Sequence, residues 1–225
     1  MDVWNVMEAR HSVRTYLNRP IEADKVAAIK QAVDEVNRQS GLHIQLFVEE
    51  PEAFAAGKAH YGAFKGCRNY FALVAKDGMD EAIGYQGEAL VLRAQELGLN
   101  TCWVALTYKK GKVQVQTDAG ERLYMVIALG YGNTQGVPHR SKPLNKLADL
   151  PADAPQWYRD GVRAAALAPT AINQQRFHLS LREDNTVAAV CKRGPYSTVD
   201  MGIVKYHFEL GAGVDSTVWH RKEDL

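Results

Sequence analysis

Cysteine is scarce. The chain has three in 225 residues, Cys67, Cys102 and Cys191, with no C-x-x-C pair. An odd, dispersed set argues against a disulfide framework or a thiolate cluster and suits free thiols in a reducing compartment. An excess of either charge is also lacking. Lys and Arg total 27 against 26 Asp and Glu, a net charge of +1. Nothing global therefore points to nucleic acid or to a membrane surface. No apolar run nears the roughly 20 residues needed to span a bilayer. The opening MDVWNVMEAR has neither the basic flank nor the apolar stretch of a signal peptide. A cytoplasmic protein is expected. The histidines, among them His43, His60 and His207, lack paired-ligand spacing. His207 and Glu209 lie two apart on one expected helix and point in different directions. No metal is expected.

What is present is enough apolar material for a core. At 46% hydrophobic content, the chain suits one domain, or two closely merged half-domains, burying about 70–75% of its unfolded surface. Asp2 caps an expected short helix reaching about Arg10. A second helix is expected over about 22–38, with Val26, Ile29, Val33 and Val36 on one face. Strands are read at 43–49, 70–74 and 124–129, with an apolar segment at 99–106. A helix over about 81–97 ends at Gly98. A long loop of Gly, Asn and Pro spans 130–143. Pro155 opens a helix that stops before Pro169. Segments 177–181 and 186–190 flank Asp184-Asn185 as a hairpin, and a last helix covers about 199–210. The interleaving implies an α+β fold with a central mixed sheet flanked by helices.

A faint internal repeat is visible. Gly84 to Trp103 and Gly202 to Trp219 each read as a helix ending near glycine, then a strand closing on Trp. Two merged pseudo-repeated halves, about 1–150 and 151–225, are one reading; chance likeness of short helix-strand units is the other.

Four elements could carry chemistry. Arg10-His11-Ser12-Val13-Arg14 places two guanidinium forks and a hydroxyl within five residues, a donor set matched to phosphate. Ala168-Pro169-Thr170-Ala171-Ile172-Asn173-Gln174-Gln175 joins a helix stop to amides that offer both donor and acceptor, suited to a flavin or nucleobase edge. Gly98 to Leu106 (GLNTCWVAL) leads from a capped helix into an apolar strand whose end could lie against a flat ring. His139-Arg140-Ser141-Lys142-Pro143 is a second basic cluster. Taken singly, each also reads as an ordinary basic turn, capped turn, core strand or surface loop.

Taken in order, they resemble the nitroreductase family, in which R-x-S-x-R opens the chain and LGLGTCW-like and ALGYP-like segments follow. Here these are Arg10 to Arg14, LGLNTCW and ALGYG. The family's A-P-S-x-x-N-x-Q-P-W has its counterpart in APTAINQQRF, late in the chain. That order resembles the subgroup whose two halves form a single-chain version of the fold. The resemblance implies FMN as cofactor, with Arg10, Ser12 and Arg14 on its phosphate and ribityl chain and His11 contributing between them. It implies that Arg140 and Lys142 close on the phosphate. It places the backbone of Ala105 and Leu106 against the ring, and Pro169, Thr170, Ala171 and Asn173 packed on the flavin. NAD(P)H would supply hydride and a small-molecule acceptor (a nitroaromatic, a quinone or another flavin) would be reduced, by a ping-pong route with no catalytic side chain. One chain would then supply both sides of the site and bind one FMN, as a monomer or a homodimer. Two departures stand out. Arg176 replaces the proline of Gln-Pro-Trp, and Ala105 stands where glycine or glutamate is commoner. They motivate the alternative of a non-catalytic flavin-binding member of the same fold.

Overall fold

The computed structural model describes residues 2–55 and 63–220; His60 and the middle of the irregular 51–68 stretch lie outside it. The α+β class holds. Helix α1 (Val3–Ala9) starts where the Asp2 carboxylate accepts from the Trp4 N–H. Helix α2 (Ala23–Ser40) buries Ile29, Val33 and Val36 and stops at Gly41, whose left-handed backbone (φ 69°) suits a residue without a Cβ. Strands β1 (Gln45–Phe47), β2 (Asn69–Lys76), β3 (Asn100–Val104) and β4 (Glu121–Gly130) form one sheet in the order β1-β2-β4-β3. Helix α3 (Asp80–Glu96) lies between β2 and β3 in the chain. Helix α4 (Gln156–Ala165), the hairpin β5 (Phe177–Leu181) and β6 (Val187–Cys191), and α5 (Ser197–Ala212) complete it.

All named strand pairs are antiparallel. The mixing expected of the sheet survives only in isolated parallel bridges, such as Ser12 to Thr101 and Val187 to Trp219. Strands β2 and β4 are buried on both faces. Phe71, Leu73, Met125, Ile127 and Leu129 point to the helices, while Tyr70, Ala72, Val126 and Ala128 meet Val13, Tyr16 and Phe54. A bulge at Leu73/Val74 shifts the register. Leu123 thereby falls on the same face as Val126 despite its odd spacing.

The outer side of the short β1 strand is occupied by amide side chains. Asn37 accepts from the N–H of Ile44 and donates to its carbonyl, both at 2.8 Å. Gln45 makes a matching pair with the backbone of Gln116 (2.7 and 2.9 Å).

Helices α3 and α5 cross at two glycines. A Cβ on Gly84 would fall on the backbone of Val199, and one on Gly202 on the backbone of Glu81. These are the two glycines that open the repeated sequence units. Each unit also ends on a Trp whose indole N–H donates to a buried carboxylate: Trp103 to Glu88 (2.8 Å) and Trp219 to Glu209 (2.5 Å). The second unit lacks the strand its sequence suggests. Ser216–Val218 is a single 3₁₀ turn, stabilised by the Asp215 carboxylate on the Thr217 N–H, and Trp219 makes only one bridge, to Val187. No helix among the described residues is long and apolar enough to cross a membrane.

Candidate functional site

The site begins where α1 ends. Arg10 turns to extended backbone (φ −71°, ψ 114°), and the chain runs beside β3, the Val13 N–H donating to the Thr101 carbonyl at 3.0 Å. Val13 enters the core that also holds Cys102, while Arg14 stays exposed, and Arg14, Ser12 and Arg10 are near enough to that thiol to act on it. Burial raises the Cys102 thiol pKa; Arg14, Ser12 and Arg10 each act to lower it. That thiol is core material, not a nucleophile.

The two arginines sit differently. Arg14 is exposed and has no ion-pair partner among the described residues. Arg10 is 4% exposed; its Nε has no hydrogen-bond partner, and its nearest carboxylate is Glu88, at 3.8 Å. Burial lowers the pKa of Arg10 and Glu88 acts to restore it. Glu88 is fully buried. One oxygen takes the Trp103 indole N–H, and the other lies 2.9 Å from Nε2 of the equally buried His207. Glu209, by contrast, faces Tyr85 and Trp219, so His207 and Glu209 do point in different directions. The sequence reading missed this polar node. Its signal was a glutamate beside the apolar run Ala89-Leu90-Val91-Leu92.

The basic loop forms the next wall. His139 Nε2 lies 3.1 Å from the Ala166 carbonyl, which also accepts from Ser141 Oγ at 2.9 Å. Burial lowers the His139 pKa, and the bond to the Ala166 carbonyl opposes that shift. Glu8, Arg10, His11, His139, Ser141 and Leu167 are among the residues that border a cavity of about 40 Å³.

The same loop is fastened to the late motif. Asn173 Nδ2 and Gln175 Nε2 both donate to the Arg140 carbonyl at 2.9 Å. Lys142 Nζ donates to the carbonyls of Gln174 and Gln175 at 2.7 and 2.9 Å. Thr170 Oγ1 accepts from the Gln175 N–H. Within four residues, Ile172, Asn173 and Gln175 have φ of 48°, 54° and 44°. A β-branched residue there is a genuine outlier, and such strain persists only where surrounding bonds over-determine it. Part of the restraint is Asp200. Its buried carboxylate accepts from the Ala171 N–H (2.9 Å) and Gln174 Nε2 (2.7 Å).

Three of the four sequence elements are thus joined, with the 139–142 loop as the link between Arg10-His11 and the 169–175 loop. Ala105 and Leu106 lie just past β3, half-buried and 79% exposed respectively, and no hydrogen bond among the described residues ties them to the other three elements. Among the described residues, His43, Asp118 and Glu121 bring potential ligand atoms within 4.8 Å of one another. Hydrogen bonds from His43 Nδ1 and the Asp118 N–H to Glu121 Oε2, both 2.8 Å, account for that grouping.

Asp200 gives a pH prediction. Burial raises its pKa to about 6, partly offset by the bonds from Gln174 and Ala171. A carboxyl whose folded pKa lies above its unfolded value, near 4, adds stability that is full below the unfolded value and lost as pH rises through the folded one. Relative to Asp200→Asn, the native chain should therefore lose stability between about pH 4 and 6, by on the order of 2 kcal/mol. Melting curves for both proteins across that window test this; parallel pH profiles would refute it.

The family model described as "Putative TM nitroreductase" matches residues 2–212. The chain belongs to this nitroreductase family and is an oxidoreductase. A solved nitroreductase from Thermotoga maritima is similar over 94% of this chain and 83% of its own, with 20% identity and a TM-score of 0.65. A nitroreductase from Desulfovibrio desulfuricans, solved in complex with FMN, matches over 67% of this chain and 98% of its own (16% identity, TM-score 0.53). An NADH dehydrogenase/NAD(P)H nitroreductase from Parabacteroides distasonis covers 65% and 96% (17% identity, TM-score 0.52). No curated protein matches this chain. At these identities the solved neighbours establish the fold of the nitroreductase chain, and its chemistry rests on the site.

Proposed function

We propose that this nitroreductase binds FMN and transfers hydride from NAD(P)H to a small-molecule acceptor of the nitro, quinone or flavin class. The observation that carries this reading is Arg10, a buried guanidinium with an unpartnered Nε at the edge of a small cavity. A buried, under-bonded cation is costly unless an anion completes it. Ser12 and the exposed Arg14 alternate with Arg10 along the same extended segment, and Lys142 keeps one ammonium N–H beyond its two carbonyl bonds. Such a donor set fits a phosphate dianion.

The size of the cavity supports a particular placement. At about 40 Å³ it takes part of a phosphate group, whereas pockets that enclose drug-sized ligands run to roughly 300–1,000 Å³. The isoalloxazine ring would therefore lie outside, over Ala105 and Leu106, with Pro169, Thr170, Ala171 and Asn173 as its other boundary and His11 between ring and phosphate walls. The pseudo-halves, about 1–150 and 151–225, would each give one wall, so that one chain holds one FMN. When bound, FMN would supply the redox chemistry between nucleotide and acceptor. The chain's own residues bind and orient it: Arg10, Ser12 and Arg14 anchor the phosphate, Arg140 adds positive field, and the braced 172–175 loop limits access. No side-chain acid or base is assigned. A cytoplasmic location accords with free thiols at Cys67, Cys102 and Cys191.

Arg14→Ala should weaken FMN binding about ten- to a hundredfold, the loss of one charge-assisted contact of roughly 1.5–3 kcal/mol. The apo-protein should melt unchanged, because Arg14 is exposed and makes no ion pair among the described residues. Equilibrium titration with FMN tests this, and an unaltered affinity would sink the phosphate assignment. Flavin that binds but is bleached anaerobically by neither NADPH nor NADH would point instead to a flavin-binding protein without reductase activity, the reading that Arg176 in place of proline favours.

A further inference from the structure

Five cations surround the strained loop, and none has a carboxylate within ion-pair distance among the described residues: Arg140, Lys142, Arg176, Lys192 and Arg193. All five are tied to the loop or to each other by hydrogen bonds to backbone carbonyls. The Arg140 carbonyl receives Asn173 and Gln175, and Lys142 caps the carbonyls of Gln174 and Gln175. The Lys192 N–H donates to the Arg176 carbonyl at 2.8 Å, and Arg176 Nη1 donates to the Arg193 carbonyl at 2.6 Å. All five residues are exposed. The nearby acids are not available to neutralise them. Asp200 is buried and bonded to Gln174, and Glu81 pairs with Lys205 at 2.5 Å. In a chain of net charge +1, this is a local concentration of positive field.

An aromatic ring stands beside it. Gln174 Nε2 donates to the Pro195 carbonyl, fixing the Gly194-Pro195-Tyr196 turn against the loop. Tyr196 has φ 55° and is 37% exposed. Its phenol is near enough to Tyr108 to add to the pKa rise that burial gives that group. Tyr196 follows directly on Pro195, whose carbonyl is bound by Gln174 of the strained loop.

We infer that this surface is the docking site for the adenosine end of the reductant, with Tyr196 stacking on adenine and Arg176, Lys192 and Arg193 holding a ribose 2′-phosphate, so that the chain selects NADPH over NADH. The inference rests on NAD(P)H being the reductant. A flat ring offers any base a stacking face, and guanidinium forks match phosphate oxygens in pairs. NADH presents one pyrophosphate; NADPH adds a further dianion where the three unpaired cations lie. Arg176 thus has a role at the position where the family's proline would leave no charge. A 3′-phosphoadenosine ligand such as coenzyme A shares the chemistry and differs only in where the phosphate sits.

The test uses binding, independent of turnover. Calorimetric titration of the purified protein with 2′,5′-ADP, 3′,5′-ADP and 5′-AMP should show 2′,5′-ADP binding at least tenfold more tightly than the other two. The double variant Arg176→Ala/Arg193→Ala should lose at least tenfold in affinity for 2′,5′-ADP, and Lys192→Ala a smaller factor. Lys30→Ala, an exposed cation on α2, should leave it unchanged. Preference for 3′,5′-ADP, equal binding of all three, no binding, or full retention in the double variant would each overturn the proposal. Anaerobic flavin bleaching is measured separately. A protein that binds 2′,5′-ADP but whose flavin no nicotinamide nucleotide reduces has lost the reductase reading alone. A flavin reduced equally well by NADH and NADPH in a protein that ignores 2′,5′-ADP has lost only this one.

Discussion

Gly84→Ala and Gly202→Ala should each lower the melting temperature by roughly 6–12 °C, corresponding to about 3 kcal/mol in a chain of this size. A methyl at either position would collide with backbone, the Val199 carbonyl or that of Glu81, rather than with a side chain that can rotate away. Relief requires α3 and α5 to move apart, and both carry most of their neighbours with them. Gly111→Ala is the control: a Cβ there has no atom within 4 Å, and its melt should be within a degree or two of the parent. Melts of the glycine variants that coincide with the parent would mean the helices do not pack this closely.

Glu88→Ala should be the most damaging polar substitution, costing about 3–5 kcal/mol. It strands the buried Arg10 guanidinium without its carboxylate and removes the acceptor for Trp103 and His207. Glu88→Gln keeps one acceptor oxygen and the shape, so its loss should be clearly smaller. Urea denaturation of the three proteins separates these cases. A Glu88→Ala midpoint near that of the parent would show that Arg10 does not depend on Glu88 for its buried position. The comparison also bears on the proposed FMN site, because a shift of Arg10 would move the deepest of the three donors proposed for its phosphate.

Local pattern made much of the fold legible. The Ile29, Val33 and Val36 stripe, Gly41 at a helix end, the Asp184-Asn185 turn and the apolar runs of β2 and β4 each follow from short-range preferences, and each appears within a few residues of its expected place. The strand expected at 43–49 contracts to Gln45–Phe47 because Ile44 is taken by Asn37 and Glu49 adopts φ 58°. The strand expected before Trp219 is absent because Asp215 caps a turn first. Sheet order could not be read: nothing in β3 names β4 rather than β2 as its neighbour. The family was legible from the four motifs taken in order, and three of them come together in the fold. The supports of that candidate site were not legible. Glu88 and His207 are 119 positions apart, and Asp200 reaches back 29 positions to Ala171. Such partnerships depend on the tertiary arrangement that places α5 beside α3.

The amide side chains along β1 have a consequence for self-association. An unpaired strand edge is a template for adding another strand, the route by which many sheet proteins aggregate or pair. Here β3 is covered by the Ser12-Val13 segment. The opposite edge is three residues long, and directly before it the Asn37 amide takes both backbone groups of Ile44 as a neighbouring strand would. Continuous sheet extension across two copies is thereby disfavoured. A contact between two copies through a shared ladder along this four-stranded sheet is the arrangement these edges oppose.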